Sequence, residues 1–218
     1  MSILGIAIWT KIGETRRRGS KDLEEDPGKD GETMIIQSTT NPKTKFTRAC
    51  IGEATLALLH EEEYSKVRVS DIVKKAGVAR ASFYKYYDSP YAALSDYIQI
   101  LISEYMEDTL GMQLRDKFME RDHILYSLQY FDRYADCFLT LARRGLHGIM
   151  LEGVNRFMEE NIQTARKVSV YELYSYAGGM LNTFLKWEQE GKKDSAEDVA
   201  DMLYDLYSYE KRAKVQNT

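Results

Sequence analysis

From Thr44 onward the apolar positions recur with the period of a helix. Phe46, Ala49, Cys50, Ala54, Ala57 and Leu58 fall three or four residues apart, which predicts one face of a helix of about four turns, ending near the acidic run Glu61, Glu62, Glu63. Val69, Ile72, Val73 and Ala76 predict a short second helix, with Gly77 just past its end, where a left-handed backbone is cheap for glycine. A third short helix, about Arg80 to Tyr87, puts Phe83 and Tyr87 four apart, so that with Val78 they face back onto Ile72 and Val73. Two short helices joined by a tight glycine turn and preceded by a longer one make the helix-turn-helix layout. Ser89 and Pro90 then read as cap and first residue of a long fourth helix carrying Leu94, Tyr97, Ile98 and Leu101. Further helices are expected over residues 123–134, 137–142, 146–161, 169–190 and 196–209. Gly191 closes one of these, and Ser195 with Asp198 opens the last in the manner of a capping box. No strand pattern or internal repeat competes, so the fold class is all-α: an amino-terminal three-helix domain followed by a larger helical domain.

Composition refines that picture. Residues 1–43 mix charge, Gly and Ser around the turn-rich "DPGKDGE" and are expected to be a disordered extension, unless translation begins at Met34. The remaining boundaries are 44–89 for the helix-turn-helix domain, 90–211 for the larger domain and 212–218 for a flexible tail. The net charge of −4 gives no hint of nucleic acid. Locally the balance differs: residues 64–90 hold six basic and two acidic side chains. Such an island is either a solvated face or a binding surface.

Two cysteines and three histidines lie far apart in sequence, which offers no metal-ligand spacing and no disulfide framework and fits a reducing, cytoplasmic setting. The early apolar run "ILGIAIW" is short for a signal-peptide core, and Arg16, Arg17 and Arg18 follow it rather than precede it. No run approaches the roughly 20 apolar residues that span a bilayer. Glycine-rich phosphate loops, nucleophile elbows and metal clusters are missing from the pattern, so neither an enzyme nor a cofactor is expected.

The outward face of the third helix presents Arg80, Ser82, Tyr84, Lys85 and Tyr86, groups that suit base edges and phosphate oxygens. Periodicity alone allows these tyrosines to lie at a subunit contact instead. The ordered series within "VSDIVKKAGVARASFYKYYDS" resembles the amino-terminal domain of TetR/AcrR-type transcriptional regulators: Ile72, the Ala76-Gly77-Val78 turn, Phe83, Tyr84 and Tyr87. The resemblance implies a DNA-binding protein that acts as a homodimer on a palindromic operator, with a small-molecule effector and, for most such proteins, a repressing role; activation stays open. It implies that Ser70 meets DNA from the second helix, that Arg80, Ala81 and Ser82 approach base edges, and that Tyr84, Lys85 and Tyr86 reach phosphates or thymine methyls. Two positions depart from the family pattern: Val69 stands where a threonine is common, and Pro90 where a phosphate-binding lysine is common. They keep a rival reading open, a helical ligand binder with weakened DNA binding.

The carboxy-terminal stretch "YSYAGGMLNTFLKWEQEG" resembles the regulatory domain of the subgroup related to the dihydroxyacetone kinase regulator. One short recognition helix buries too little surface for specificity, so a dimer surface is required. Tyr171, Tyr174, Gly178, Leu181 and Leu185 form one stripe of a late helix, and Met202 and Leu206 extend it on the last; the alternative is that these stripes face the protomer's own core. Tyr126, Tyr130, Tyr134, Phe138, His147 and Met150 supply the aromatic, soft and hydrogen-bonding groups expected of an effector pocket.

Overall fold

The computed structural model describes residues 42–112, 114, 119–163 and 168–216, and these are helical with short connections. The chain divides into two compact units, Met1–Phe46 and Thr47–Thr218; the second holds all the packing described below. The expectation of disorder before residue 42 lies outside the described residues.

Helix α1 (Pro42–Glu61) buries Ala49, Ile51, Ala54, Leu58 and Leu59 along one side. After a single 3-10 turn, α2 (Val69–Ala76) ends at Gly77, whose φ of +68° is the left-handed conformation that the sequence predicts. The Val78 amide donates to the Val73 carbonyl at 3.1 Å and the Gly77 amide to Lys74 at 3.4 Å. This paired closure satisfies carbonyls that the helix end would otherwise orphan. It turns the chain directly into α3 (Arg80–Tyr86), on which Phe83 is fully buried, with Tyr87 just beyond.

The Ser89 hydroxyl accepts from the Ala92 amide at 3.2 Å, and Pro90 opens α4 (Pro90–Gly111). This helix is the spine of the unit: Leu94, Tyr97, Ile98, Leu101, Ile102, Tyr105 and Met106 are all buried. It meets α1 so closely that a Cβ on Gly52 would lie 2.5 Å from that of Tyr97. Then follow α5 (Arg121–Asp132), α6 (Ala135–Arg143), α7 (His147–Met158) with a π-turn over Glu159–Gln163, α8 (Val170–Gln189) and α9 (Ala196–Gln216). Helix α7 packs on α4, α8 on α6 and α7, and α9 on α5. The Ser195 hydroxyl accepts from the Asp198 amide at 3.1 Å and donates to its carboxylate at 2.6 Å, the predicted cap of α9. That helix runs to Gln216 rather than stopping near residue 209, because its last turns contain no glycine or proline to break it.

Polar links bind the first three helices to the rest. Arg48 of α1 and Tyr87 after α3 both donate to the Asp96 carboxylate of α4, Arg48 Nε at 2.9 Å and the Tyr87 hydroxyl at 2.5 Å. Arg144, after α6, donates to the Leu59 carbonyl at 2.6 Å and pairs with Glu63.

Candidate nucleic-acid interface and effector cavity

Helix α3 is amphipathic within two turns. Phe83 anchors it in the core, and its ring meets those of Tyr84 and Tyr87 edge-on. Arg80, Ala81, Tyr84 and Lys85 are exposed, as is Ser70 on α2, whereas Ser82 and Tyr86 are half-buried. Of the seven positions expected to meet DNA, five are thus exposed and two half-buried, with Tyr86 partly spent on packing. Arg80 and Tyr84, four residues apart, are pre-arranged: the guanidinium sits 5.5 Å from the ring centroid and donates to the phenol oxygen at 3.2 Å. A side chain held this way surrenders less rotamer freedom when it docks. Among nearby cations, Lys75 is engaged with Glu61 at 2.9 Å, and so is already partly neutralised.

No group of three His, Cys, Asp or Glu side chains could hold a metal ion among the described residues. Burial pushes the Cys137 thiol up to about 12 and raises that of Cys50 as well, so both stay protonated and poorly nucleophilic at neutral pH. No described helix is long and apolar enough to cross a membrane.

Residues 51–90, the span from mid-α1 to the first residue of α4, match the bacterial regulatory proteins of the tetR family. Over that span the chain is similar to the tetR family. A curated relative is the "Uncharacterized HTH-type transcriptional regulator YxbF" of Bacillus subtilis, 25% identical over 178 residues; the match covers 73% of this chain but spans only 44% of that protein's length. Among solved structures, the fatty acid degradation regulator FadR from Bacillus halodurans superposes with a TM-score of 0.53 at 14% identity, covering 77% of this chain and 95% of that one. A tetR-family transcriptional regulator from Streptomyces coelicolor gives a TM-score of 0.49 at 14% identity, over 82% and 85% of the two chains. The FadR likeness is one of fold. The narrower resemblance to dihydroxyacetone kinase regulators is not carried by these relatives.

Behind the tetR-family module, α4 to α8 enclose a cavity of about 100 Å³. Ile102, Tyr105, Met106 and Thr109 line it from α4; His123, Ser127, Leu128 and Phe131 from α5. Phe138 comes from α6, Val154, Phe157 and Met158 from α7, and Met180, Leu181 and Phe184 from α8. No Lys, Arg, Asp or Glu lines it. The polar end is a chain of hydrogen bonds: the Tyr105 hydroxyl lies 2.9 Å from His123 Nε2 and 2.7 Å from Ser127 Oγ, and Ser127 donates to the His123 carbonyl at 2.7 Å.

Of the expected pocket residues, Phe138 lines this cavity. Tyr126, Tyr130 and Tyr134 do not. They pack behind Tyr105, with Tyr126 stacked on it at 5.9 Å and the Arg133 guanidinium 4.0 Å from the Tyr130 ring centroid. The reason is helical phase: on α5 the stripe through His123, Ser127 and Phe131 faces the cavity, and the tyrosine stripe lies about 100° around the helix. His147 is exposed at the start of α7, and Met150 is fully buried outside the lining. His123 and Ser127, which sequence reasoning missed, left one signal: polar residues four apart on an otherwise apolar face.

On α8 and α9 the expected dimer stripe divides. Tyr171, Tyr174, Met202 and Leu206 are exposed, Tyr171 to 83% and Leu206 to 58%, and a Cβ on Gly178 would meet only open space. Leu185 is buried in the protomer's own core and Leu181 lines the cavity. Periodicity gives a direction on a helix but not the width of the arc that its neighbours cover. Gly179, in contrast, is small because the Tyr207 hydroxyl of α9 crowds its Cα.

Proposed function

We propose that the chain is a dimeric, effector-responsive transcriptional regulator that reads duplex DNA with α3 of each protomer. The observation that carries this reading is the exposed, pre-arranged Arg80–Tyr84 pair with Lys85 on a short helix whose other face is locked into the core. Arg80 offers a fork to guanine O6 and N7; Lys85, Ser70 and the tyrosine hydroxyls fix register on the backbone. The helix-turn-helix module then comprises residues 44–89, and residues 90–211 form the regulatory and dimerising part.

The exposed apolar stripe of Tyr171, Tyr174, Met202 and Leu206 supports an isologous homodimer, which presents two α3 helices to half-sites one helical turn apart, about 34–36 Å. The cavity is the effector site. Four of its lining residues belong to α4, whose first turn follows α3 directly. Filling it biases the position of α4, and hence of α3, by a population shift. Operator and effector then weaken each other by the same factor, and the sense of control is repression.

Fluorescence-anisotropy titration against duplex from the DNA flanking the chain's own gene, beside a scrambled duplex, tests this. Specific binding gives a preference of about 10³-fold or more; equal, weak and strongly salt-dependent binding to both overturns it.

A further inference from the structure

The effector-site reading leaves open what the cavity accepts, and the make-up of its wall narrows the choice. Five of the ring-bearing residues that line it touch one another in series. The His123 imidazole meets the Tyr105 ring with centroids 6.0 Å apart, Tyr105 meets Phe131 at 5.0 Å, Phe131 meets Phe138 at 5.6 Å, and Phe138 meets Phe184 at 5.5 Å. The run crosses from α5 through α4 and α6 to α8, so four helices share one aromatic wall. Its last two pairs are nearly perpendicular, at 84° and 81°, and neighbouring rings therefore turn different aspects to a guest. An aromatic ring is negative on its faces and positive at its edge. A guest ring finds a complementary partner for either aspect, whereas a saturated guest of the same outline gains contact area alone.

Size and charge restrict the guest further. At about 100 Å³ the space is smaller than the roughly 150 Å³ apolar cavity that holds benzene. One ring is thus the upper size, and a long acyl chain or a fused ring system is too large. Met106, Met158 and Met180 in the wall are unbranched and polarizable, so they repack around an entering ring and make favourable sulfur contacts with it. Among the described residues no Lys, Arg, Asp or Glu lines the cavity, and a carboxylate or ammonium there would be buried without an opposite charge. The polar groups of the lining are the hydroxyls of Tyr105, Thr109, Ser127 and Tyr176 and the His123 imidazole. Hydroxyls and a neutral imidazole both donate and accept, and so does a hydroxyl on the guest. It therefore suits either sense of the Tyr105 bonds to His123 and Ser127.

We infer, on the effector-site reading of the cavity, that it binds an uncharged molecule built on a single aromatic ring with at most one small polar group. Phenol is the simplest case, and the aromatic ring is preferred to a saturated ring of the same outline.

The test is calorimetric titration of the full chain at about pH 7 with phenol, cyclohexanol and benzoate, followed by each addition to the chain bound to its labelled flanking duplex. Phenol is expected to bind at least about fivefold more tightly than cyclohexanol, the least that two ring contacts add. It is expected to bind at least about tenfold more tightly than benzoate, whose charge would be unpaired, and to release the duplex. Phe138→Leu and Phe157→Leu each exchange a ring of the lining for branched hydrocarbon. Either variant is expected to shrink the phenol-to-cyclohexanol ratio by about threefold while cyclohexanol affinity stays within about twofold; if neither folds, the three compounds on the natural chain decide alone. Cyclohexanol or benzoate binding as tightly as phenol, an unchanged ratio in both folded variants, or a duplex-binding chain that takes up no phenol overturns the inference. A chain that binds phenol as described yet keeps its duplex overturns the effector-site reading instead, and one that binds phenol but prefers no duplex overturns the regulator reading; in both the ligand class of the cavity stands.

Discussion

Arg80 is exposed and donates to another exposed side chain, Tyr84. Its loss therefore costs the fold little, within about 0.5 kcal/mol, and costs recognition much. Arg80→Ala is expected to lower affinity for the specific duplex by about 1–3 kcal/mol while leaving scrambled-duplex binding and the unfolding midpoint nearly unchanged; anisotropy and thermal melts read the two quantities separately. Glu188 carries the opposite kind of consequence. It is buried on α8, and burial first, then the Asp132 carboxyl, push its pKa up to about 7 from an ordinary 4.5, against the opposing pull of Lys192. A carboxyl whose pKa is raised by folding stabilises the native state while protonated. That contribution is complete below the unfolded value of 4.5 and is lost as pH rises through about 7. Thermal unfolding followed from about pH 5 to about pH 8 is expected to show the natural chain losing stability across this window, and Glu188→Gln, which stays neutral, losing measurably less.

At the scale of elements, the turn between α2 and α3 is fixed by backbone conformation rather than by packing. A Cβ at Gly77 would meet nothing within 4 Å, yet its φ of +68° is strained for any side chain. Gly77→Ala is expected to destabilise by about 1 kcal/mol, seen as a lower denaturant midpoint with an unchanged slope. Features of this local kind were legible in the sequence: the Gly77 turn, the Ser89 cap with Pro90 behind it, the Ser195 and Asp198 cap, and the inward Phe83. Each depends on residues within a few positions of one another. The placement of Tyr126 and Tyr130 outside the cavity lining and of Leu185 in the protomer core was not legible, because whether a stripe meets a cavity, a neighbouring helix or solvent depends on elements far away in the chain. The polar chain of Tyr105, His123 and Ser127 joins two helices across 18 and 22 residues, and no sequence spacing announces it.

For the whole molecule, the exposed apolar stripe and the small size of α3 depend on each other. Tyr171→Asp combined with Leu206→Asp places two charges on surface-exposed positions, so the protomer stays folded. Sedimentation is expected to find a monomer, and operator affinity to drop by at least about 100-fold as the second half-site contact is lost. On the proposed reading the side chains of Val69 and Pro90 offer no phosphate donor, and Lys75 is engaged with Glu61. The salt dependence of duplex binding is expected to be correspondingly shallower than those three positions would give if all carried free cations.

The Asp96 carboxylate sets the limits of any exchangeable part. It accepts from Arg48 and from Tyr87, so the two ends of the DNA-reading module share one acceptor on the helix that follows. Transplanting residues 47–88 onto a foreign body would strand the buried Tyr87 and the half-buried Arg48 without their acceptor, and the donor-less body left behind would keep a carboxylate with these two partners gone. The transplantable cassette accordingly extends past the turn at Ser89 and has to carry the opening turns of α4 with it.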